Sequence, residues 1–156
     1  MAAKQTLLMV VGPTGVGKSA LALRLSSRVG GEIVSADSRQ VYRYMDIGTG
    51  KVSADQRAEV PHHLIDVVEP DEEYSLALFL RQARAAIEDI QSRARVPIVV
   101  GGTGQYVRGL LEGWQVPHVP PDPEVRLELE TKAHVEGAAA LHRELARVDI
   151  SAARRI

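Results

Sequence analysis

Short apolar runs alternate with stretches of helical spacing along most of the chain. Leu7–Val11 is a continuous apolar run closed by Gly12, the pattern of a strand buried on both faces of a parallel sheet. Leu21, Ala22, Leu25 and Val29 then recur at helical spacing as far as Gly30-Gly31, where the glycines end the helix. Glu32–Ala36 reads as a second strand with Asp37-Ser38-Arg39-Gln40 at its tip, which completes a βαβ unit. Residues 41–61 are irregular, broken by Gly48, Gly50 and Pro61. His63–Val68 reads as a third strand. Ser75 is placed to cap a helix that carries Leu76, Phe79, Leu80, Ala83 and Ile87 on one face. Pro97–Val100 is a fourth strand, followed by Gly101-Gly102-Thr103-Gly104 and a short helix through Leu111.

From Trp114 the character changes. Val116-Pro117-His118-Val119-Pro120-Pro121 reads as a linker. Asp122 is a cap for a helix bearing Val125, Leu127 and Leu129, a second helix runs from about Gly137 to Val148, and a third begins near Ser151. The pattern predicts an α/β domain with a parallel sheet and helices on both faces over residues 1–113, then a linker and the start of a helical insertion over 114–156. Ending at the start of a helix, the chain reads as a fragment.

Composition narrows the partners. The chain has 156 residues, 45% hydrophobic and 25% charged, and a formal net charge of −1. No global basic field favours non-specific binding to nucleic acid, so any RNA contact must come from a local cluster of Arg and Lys. The absence of cysteine excludes a disulfide framework, a thiolate nucleophile and a Cys-ligated zinc site. The apolar run after Lys4 leads straight into a glycine loop and reads as a strand, not a signal peptide. No stretch is long enough to span a bilayer. A cytoplasmic protein with no membrane partner is expected.

The strongest local chemistry is Gly12-Pro13-Thr14-Gly15-Val16-Gly17-Lys18-Ser19, which fits the P-loop pattern in full. Its glycines let backbone N–H groups point inward, the helix N-terminus adds partial positive charge, and Lys18 brings a mobile cation to the terminal phosphate. Ser19 is a candidate ligand for Mg²⁺. Strand, loop and amphipathic helix follow in the right order, so a P-loop NTPase-like sheet is predicted. Such a loop selects a phosphate chain and not a reaction.

An apolar strand ending in an acid is the usual partner of this loop, yet Ile98-Val99-Val100 ends in Gly-Gly-Thr-Gly. The acid stands instead at the tip of the second strand, as Asp37. Strand tips of an open α/β sheet face one crevice, which puts Asp37 beside whatever the loop binds. Two enzymes fit. A small-molecule kinase would use Asp37 to take a proton from a hydroxyl; a prenyltransferase would use it to accept one from an amine attacking an allylic carbon. A turn-capping role for Asp37 is the plain alternative, and a nucleotide-binding switch is the non-enzymatic one.

Further blocks point one way. Gly12-Pro13-Thr14, Ser35-Ala36-Asp37-Ser38-Arg39-Gln40-Val41-Tyr42, Met45-Asp46-Ile47-Gly48-Thr49, Pro61-His62-His63-Leu64-Ile65-Asp66, Tyr74-Ser75, Val100-Gly101-Gly102-Thr103-Gly104 with Tyr106, and Asp122-Pro123 before Arg126 resemble the tRNA dimethylallyltransferases in order and spacing. The resemblance implies that the loop, Gly12 through Ser19, holds the diphosphate of dimethylallyl diphosphate. Lys18, the loop amides and Mg²⁺ on Ser19 would stabilise the departing diphosphate, and Thr14 would hydrogen-bond near the reacting centre. The acceptor would be the N6 amine of a flipped adenine on the 3′ side of the anticodon. Asp37 would take its proton and Gln40 would orient the base, with Ser38 and Arg39 close by. Thr103 would lie at the mouth of the same channel, and Val125 and Arg126 would contact the tRNA anticodon stem-loop from the insertion. A monomer is expected. An adenylate prenyltransferase is a related rival. Family members often carry Ala-Ser where this chain has Gly15-Val16, and Ala-Lys-Pro where it has Gly50-Lys51-Val52. They also run to roughly twice this length, so diphosphate binding without full transfer activity is expected of the chain alone.

Duller roles fit other residues. His62 and His63, as strand neighbours, point to opposite faces and suit structure better than a shared metal. Arg39, Arg43 and Lys51 form either a basic lip for RNA or a solvated surface. Arg81, Arg84, Arg93 and Arg95 are expected on an outer helix face, and Tyr106 and Trp114 in core packing rather than base stacking.

Overall fold

The computed structural model describes residues 6–116 and 121–156. Two compact units, Met1–Pro117 and His118–Ile156, divide the chain. Pro117–Pro120 of the expected linker lie outside the described residues.

In the first unit, β1 (Leu8–Val11), β2 (Gly31–Ser35), β3 (His62–His63) and β4 (Val96–Gly101) form one sheet in the order β1-β4-β2-β3. Every pairing is parallel. Alternation along the strands sends side chains to two faces. Val34, Ala36 and Val99 meet Phe79, Leu80 and Ala83 of α3 (Leu76–Ser92) on one face. Ile33, Ile98 and Val100 meet Ala22 of α1 (Lys18–Val29) on the other. The predicted parallel sheet with helices on both faces is thus the observed one.

Several expectations need correction. Leu21 and Val29 are exposed; the inward face of α1 is Ala22 and Ser26, small residues that let the helix lie close to the sheet. The predicted strand His63–Val68 pairs only at His62–His63, because Leu64 and Asp66 take φ of 63° and 56° and break the pleat. Val68 keeps a single bridge to Tyr42. The stretch 41–61 is not wholly irregular, since it contains α2 (Ala54–Glu59), opened by a capping box between Ser53 and Gln56. Ser75 Oγ accepts from Leu78 N and starts α3 as expected. Tyr106, on α4 (Gly104–Leu111), stacks on Phe79 with ring centroids 3.9 Å apart and belongs to the core.

Arg93 is exposed as expected, yet it does more than decorate a surface. It follows α3 and reaches the buried Glu32 of β2 with two hydrogen bonds, 2.5 and 3.0 Å long. His63 Nε2 completes the cluster 2.8 Å from Glu32 Oε2, the oxygen that Arg93 Nη2 also holds. The Arg93 guanidinium, against the opposing pull of burial and with help from His63, holds the Glu32 carboxyl at about 2, down from 4.5. A carboxyl depressed in the folded state contributes stability that is complete above its unfolded pKa and is lost as pH falls through the folded one. Glu32→Gln should therefore destabilise the fold by about 3 kcal/mol at neutral pH. The gap in melting temperature to the parent should narrow between pH 4.5 and about 2, as thermal melts across that window would read.

Gly101 ends β4 where the backbones of two strand tips touch. A Cβ there would lie 2.1 Å from the carbonyl oxygen of Ala36, so only glycine lets β4 close on β2. Gly101→Ala should cost about 3 kcal/mol, measured by denaturant unfolding.

The second unit holds α5 (Pro123–Glu136), α6 (Ala138–Val148) and α7 (Ile150–Ala153). Asp122 Oδ1 caps α5 by accepting from Glu124 N and Val125 N. Val125, Leu127 and Leu129 of α5 are all exposed; α5 buries no residue, and its Lys132 pairs with Glu144 of α6.

Candidate active site

Because the strands are parallel, the P-loop after β1, the turn after β2 and the glycines after β4 gather at one edge of the sheet. The loop turns through left-handed backbone at Gly15 and Gly17, with φ of 81° and 92°, a course that L side chains rarely follow. Lys18 Nζ curls back to donate to Pro13 O at 2.7 Å. A Cβ on Gly102 would stand 3.8 Å from that ammonium and 3.1 Å from Gly12 O, so the bare backbone of the β4 tip leaves the cation room.

Opposite the loop, Asp37 folds its own turn. Its Oδ1 accepts from Arg39 N at 2.9 Å and from Gln40 N at 3.4 Å, while Oδ2 takes no hydrogen bond from any described residue. The turn-capping role and an available oxygen therefore coexist in one carboxylate. Thr103 latches this turn to the β4 tip: its Oγ1 accepts from Ser38 N at 3.0 Å and donates to Ser38 Oγ at 3.3 Å. Gln40 Nε2 donates to the carbonyls of Thr49 and Gly50, both at 3.3 Å.

A cleft of about 390 Å³ lies between the two sides. Thr14, Gly15, Gly17, Lys18 and Ser19 of the loop line it together with Asp37 and Gln40, with Ala22, Ile33, Ile65 and Val100 among the apolar remainder. Of the residues singled out from the sequence, Gly12 and Pro13 line a neighbouring groove instead. Val16 is exposed. Ser38, Arg39 and Thr103 stand outside the lining of the cleft. Val125 and Arg126 are exposed in the first turns of α5, in the other unit.

Sequence reasoning passed over Thr49, Gly50, His62 and Ile65, which also line the cleft. The imidazole of His62, held below its usual pKa by burial, has Nδ1 2.6 Å from Val60 O. Lys51 is no basic lip: its side chain is 1% exposed and its ammonium sits between Asp46 and Asp66. Burial alone would lower its pKa, and the two carboxylates more than offset that, leaving it above the ordinary lysine value. Arg43 is likewise engaged, with Glu69. Arg39 and Arg43 are both exposed, and of the three only Arg39 has no ion pair among the described residues.

The site offers a cationic loop for a phosphate chain and, across the cleft, a carboxylate oxygen free to take a proton. Ser19, exposed beside Lys18 and with no hydrogen bond from its hydroxyl to any described residue, fits a magnesium ion that takes its other ligands from phosphate and water. Among the described residues no cluster of three His, Cys, Asp or Glu side chains is spaced to hold a metal, and no helix is long and apolar enough to cross a membrane.

Sheet order, loop and helix together define a P-loop NTPase-like fold with an acidic strand tip at the same cleft as the glycine loop. Comparison with known proteins resolves the class further. The sequence model of the IPP transferase family matches residues 40–156, and that of isopentenyl transferase matches residues 5–63. The chain belongs to the IPP transferase family. It is 57% identical over 152 residues to the tRNA dimethylallyltransferase of Chloroflexus aurantiacus, covering 97% of this chain and 51% of that protein. Against that of Thermomicrobium roseum the identity is 56%, over 98% and 46%. Among solved structures, the tRNA isopentenylpyrophosphate transferase of Bacillus halodurans superposes with a TM-score of 0.71 at 43% identity, covering 98% of this chain and 50% of that one. A eukaryotic dimethylallyltransferase acting on tRNA gives a TM-score of 0.78 at 31% identity, over 96% and 37%. The chain thus spans about half the length of the bacterial relatives it matches.

Proposed function

We propose that this chain supplies the reaction centre of a transferase that moves the dimethylallyl group of dimethylallyl diphosphate to N6 of the adenosine 3′-adjacent to the tRNA anticodon. The observation that carries this reading is the shared cleft, in which Lys18 and the loop face Asp37 and Gln40. The names of the relatives support the same chemistry.

The diphosphate lies on Gly12–Ser19, and Lys18 leaves Pro13 O to pair with it. Charge gathers on the diphosphate as the allylic C1–O bond breaks, and Lys18 and the loop amides meet it with donors already in place. The adenine amine forms the new bond from N6 to C1. Its proton goes to Asp37 Oδ2, the oxygen that the turn does not use, and the bond pair leaves with the diphosphate. Thr14 borders the path between the two, while Gln40 sets the plane of the base. Ser38, Arg39 and Thr103 act one step back, by fixing the turn that presents Asp37. Ser19 would hold Mg²⁺, which would neutralise part of the leaving-group charge. Val125 and Arg126 offer tRNA an exposed contact on the helical unit.

Titrating the protein with dimethylallyl diphosphate, ATP and GTP tests the reading. Tighter binding of the allylic diphosphate, and its transfer to unmodified tRNA in preference to free AMP, is expected. Preferential ATP binding with phosphoryl transfer to a metabolite would replace it with a kinase.

A further inference from the structure

The Lys51 side chain is 1% exposed, and the reaction described above makes no use of it. Its ammonium has three N–H bonds and meets three acceptors: Tyr42 O at 2.7 Å, Asp46 Oδ1 at 2.7 Å and Asp66 Oδ1 at 2.6 Å. Arg57 Nη1 takes the remaining Asp66 oxygen at 2.6 Å. Satisfied in this way, a buried ammonium fixes three otherwise separate backbone segments at one point.

Each of those segments leads to a wall of the cleft. Tyr42 follows the turn that carries Asp37 and Gln40. Asp46 opens the loop whose Thr49 and Gly50 carbonyls receive the Gln40 side chain. Asp66 accepts strain. With Leu64 it holds left-handed backbone unusual for residues other than glycine, and Ile65 between them lines the cleft. Asp66 N also donates to Gln40 O at 3.1 Å. Lys51 itself does not line the cleft, and none of its bonds reaches the P-loop.

We infer that Lys51 is a positioning residue for the acceptor side of the site, its ammonium setting Gln40, the Thr49–Gly50 wall and Ile65 against Asp37 while leaving the diphosphate cradle untouched. The inference rests on the transferase reading, and it makes a prediction that a lysine needed only for folding does not. A folding lysine, once lost, lowers the active fraction and leaves both Michaelis constants and their ratio alone. A positioning lysine acts on one substrate only.

The test uses the natural protein that carries this chain, with dimethylallyl diphosphate and an anticodon stem-loop transcript. Lys51→Met should lower kcat by about tenfold, as a small misplacement of reacting groups does, and raise KM for the RNA. KM for the diphosphate should stay within about twofold of the parent, since P-loop contacts carry that term. Lys51→Arg should fail to rescue, because a planar fork does not meet three acceptors converging on one atom. Should Lys51→Met not fold by circular dichroism, Asp46→Ala decides: it removes only the side-chain acceptor at the exposed rim, and should lower kcat by about threefold with the same one-sided pattern. An unchanged kcat in a folded variant, or a diphosphate KM that rises in parallel with the RNA KM, would overturn the inference. A parent protein that binds the diphosphate and transfers nothing would bring down the transferase reading first, and this inference with it.

Discussion

Lys18→Ala should leave the protein folded and reduce kcat/KM for transfer by roughly a thousandfold, in line with removal of one donor from a site that stabilises developing charge. The side chain is held by a single hydrogen bond, to Pro13 O within its own loop, and it is not part of either core cluster. Circular dichroism and the melting temperature should therefore match the parent. Loss should fall on both terms, because Lys18 meets charge already present on the bound diphosphate and more of it as C1–O cleavage proceeds. Steady-state kinetics with dimethylallyl diphosphate varied at saturating RNA would read the split. A variant with full activity would remove the cation from the mechanism and leave the loop amides to bear the charge.

Asp37→Asn should lower kcat by between about a hundredfold and ten-thousandfold, the span of general base catalysis, with diphosphate affinity unchanged. The substitution is clean for a structural reason. Asp37 Oδ1 accepts from Arg39 N and Gln40 N, and an asparagine oxygen can take both bonds, so the turn survives. Only the basic oxygen at the Oδ2 position is replaced, by an amide that cannot accept the adenine proton. Asp37→Ala removes the turn bonds as well and should lose stability in addition, by about 1 kcal/mol. Equal kcat for Asp37→Asn and the parent would reduce Asp37 to a turn residue. The difference between the two variants thus separates its two roles.

How much of this could be read from sequence depended on how local the cause was. The P-loop, with β1 before it and α1 after it, was legible because the eight consecutive residues Gly12–Ser19 fix its course. The caps Ser75 and Asp122 were legible for the same reason, each bonding to an amide within three residues. The Ser53–Gln56 capping box was equally local, but the glycines before it drew the stretch toward an irregular reading. The end of β3 was not legible. Leu64 and Asp66 adopt left-handed backbone that leucine rarely takes and aspartate takes only occasionally, and what holds Asp66 there is Lys51, fifteen positions away, with Arg57. Lys51 itself reads as a surface lysine until the two carboxylates that surround it are brought together. Arg93 and Glu32 repeat the lesson across 61 positions. Asp37 stood between the two: its position beside the loop followed from sheet topology, while the division of labour between its oxygens appears only in three dimensions.

The central claim is that one cleft holds an allylic diphosphate on the loop and an RNA amine beside Asp37. Its most direct test is to incubate the natural protein with isotopically labelled dimethylallyl diphosphate and an unmodified tRNA transcript, then digest the RNA and locate the label by mass spectrometry. The account predicts label on N6 of the adenosine that follows the anticodon, with release of one diphosphate per transfer. Folded protein that binds the diphosphate yet leaves every adenosine unlabelled would contradict it.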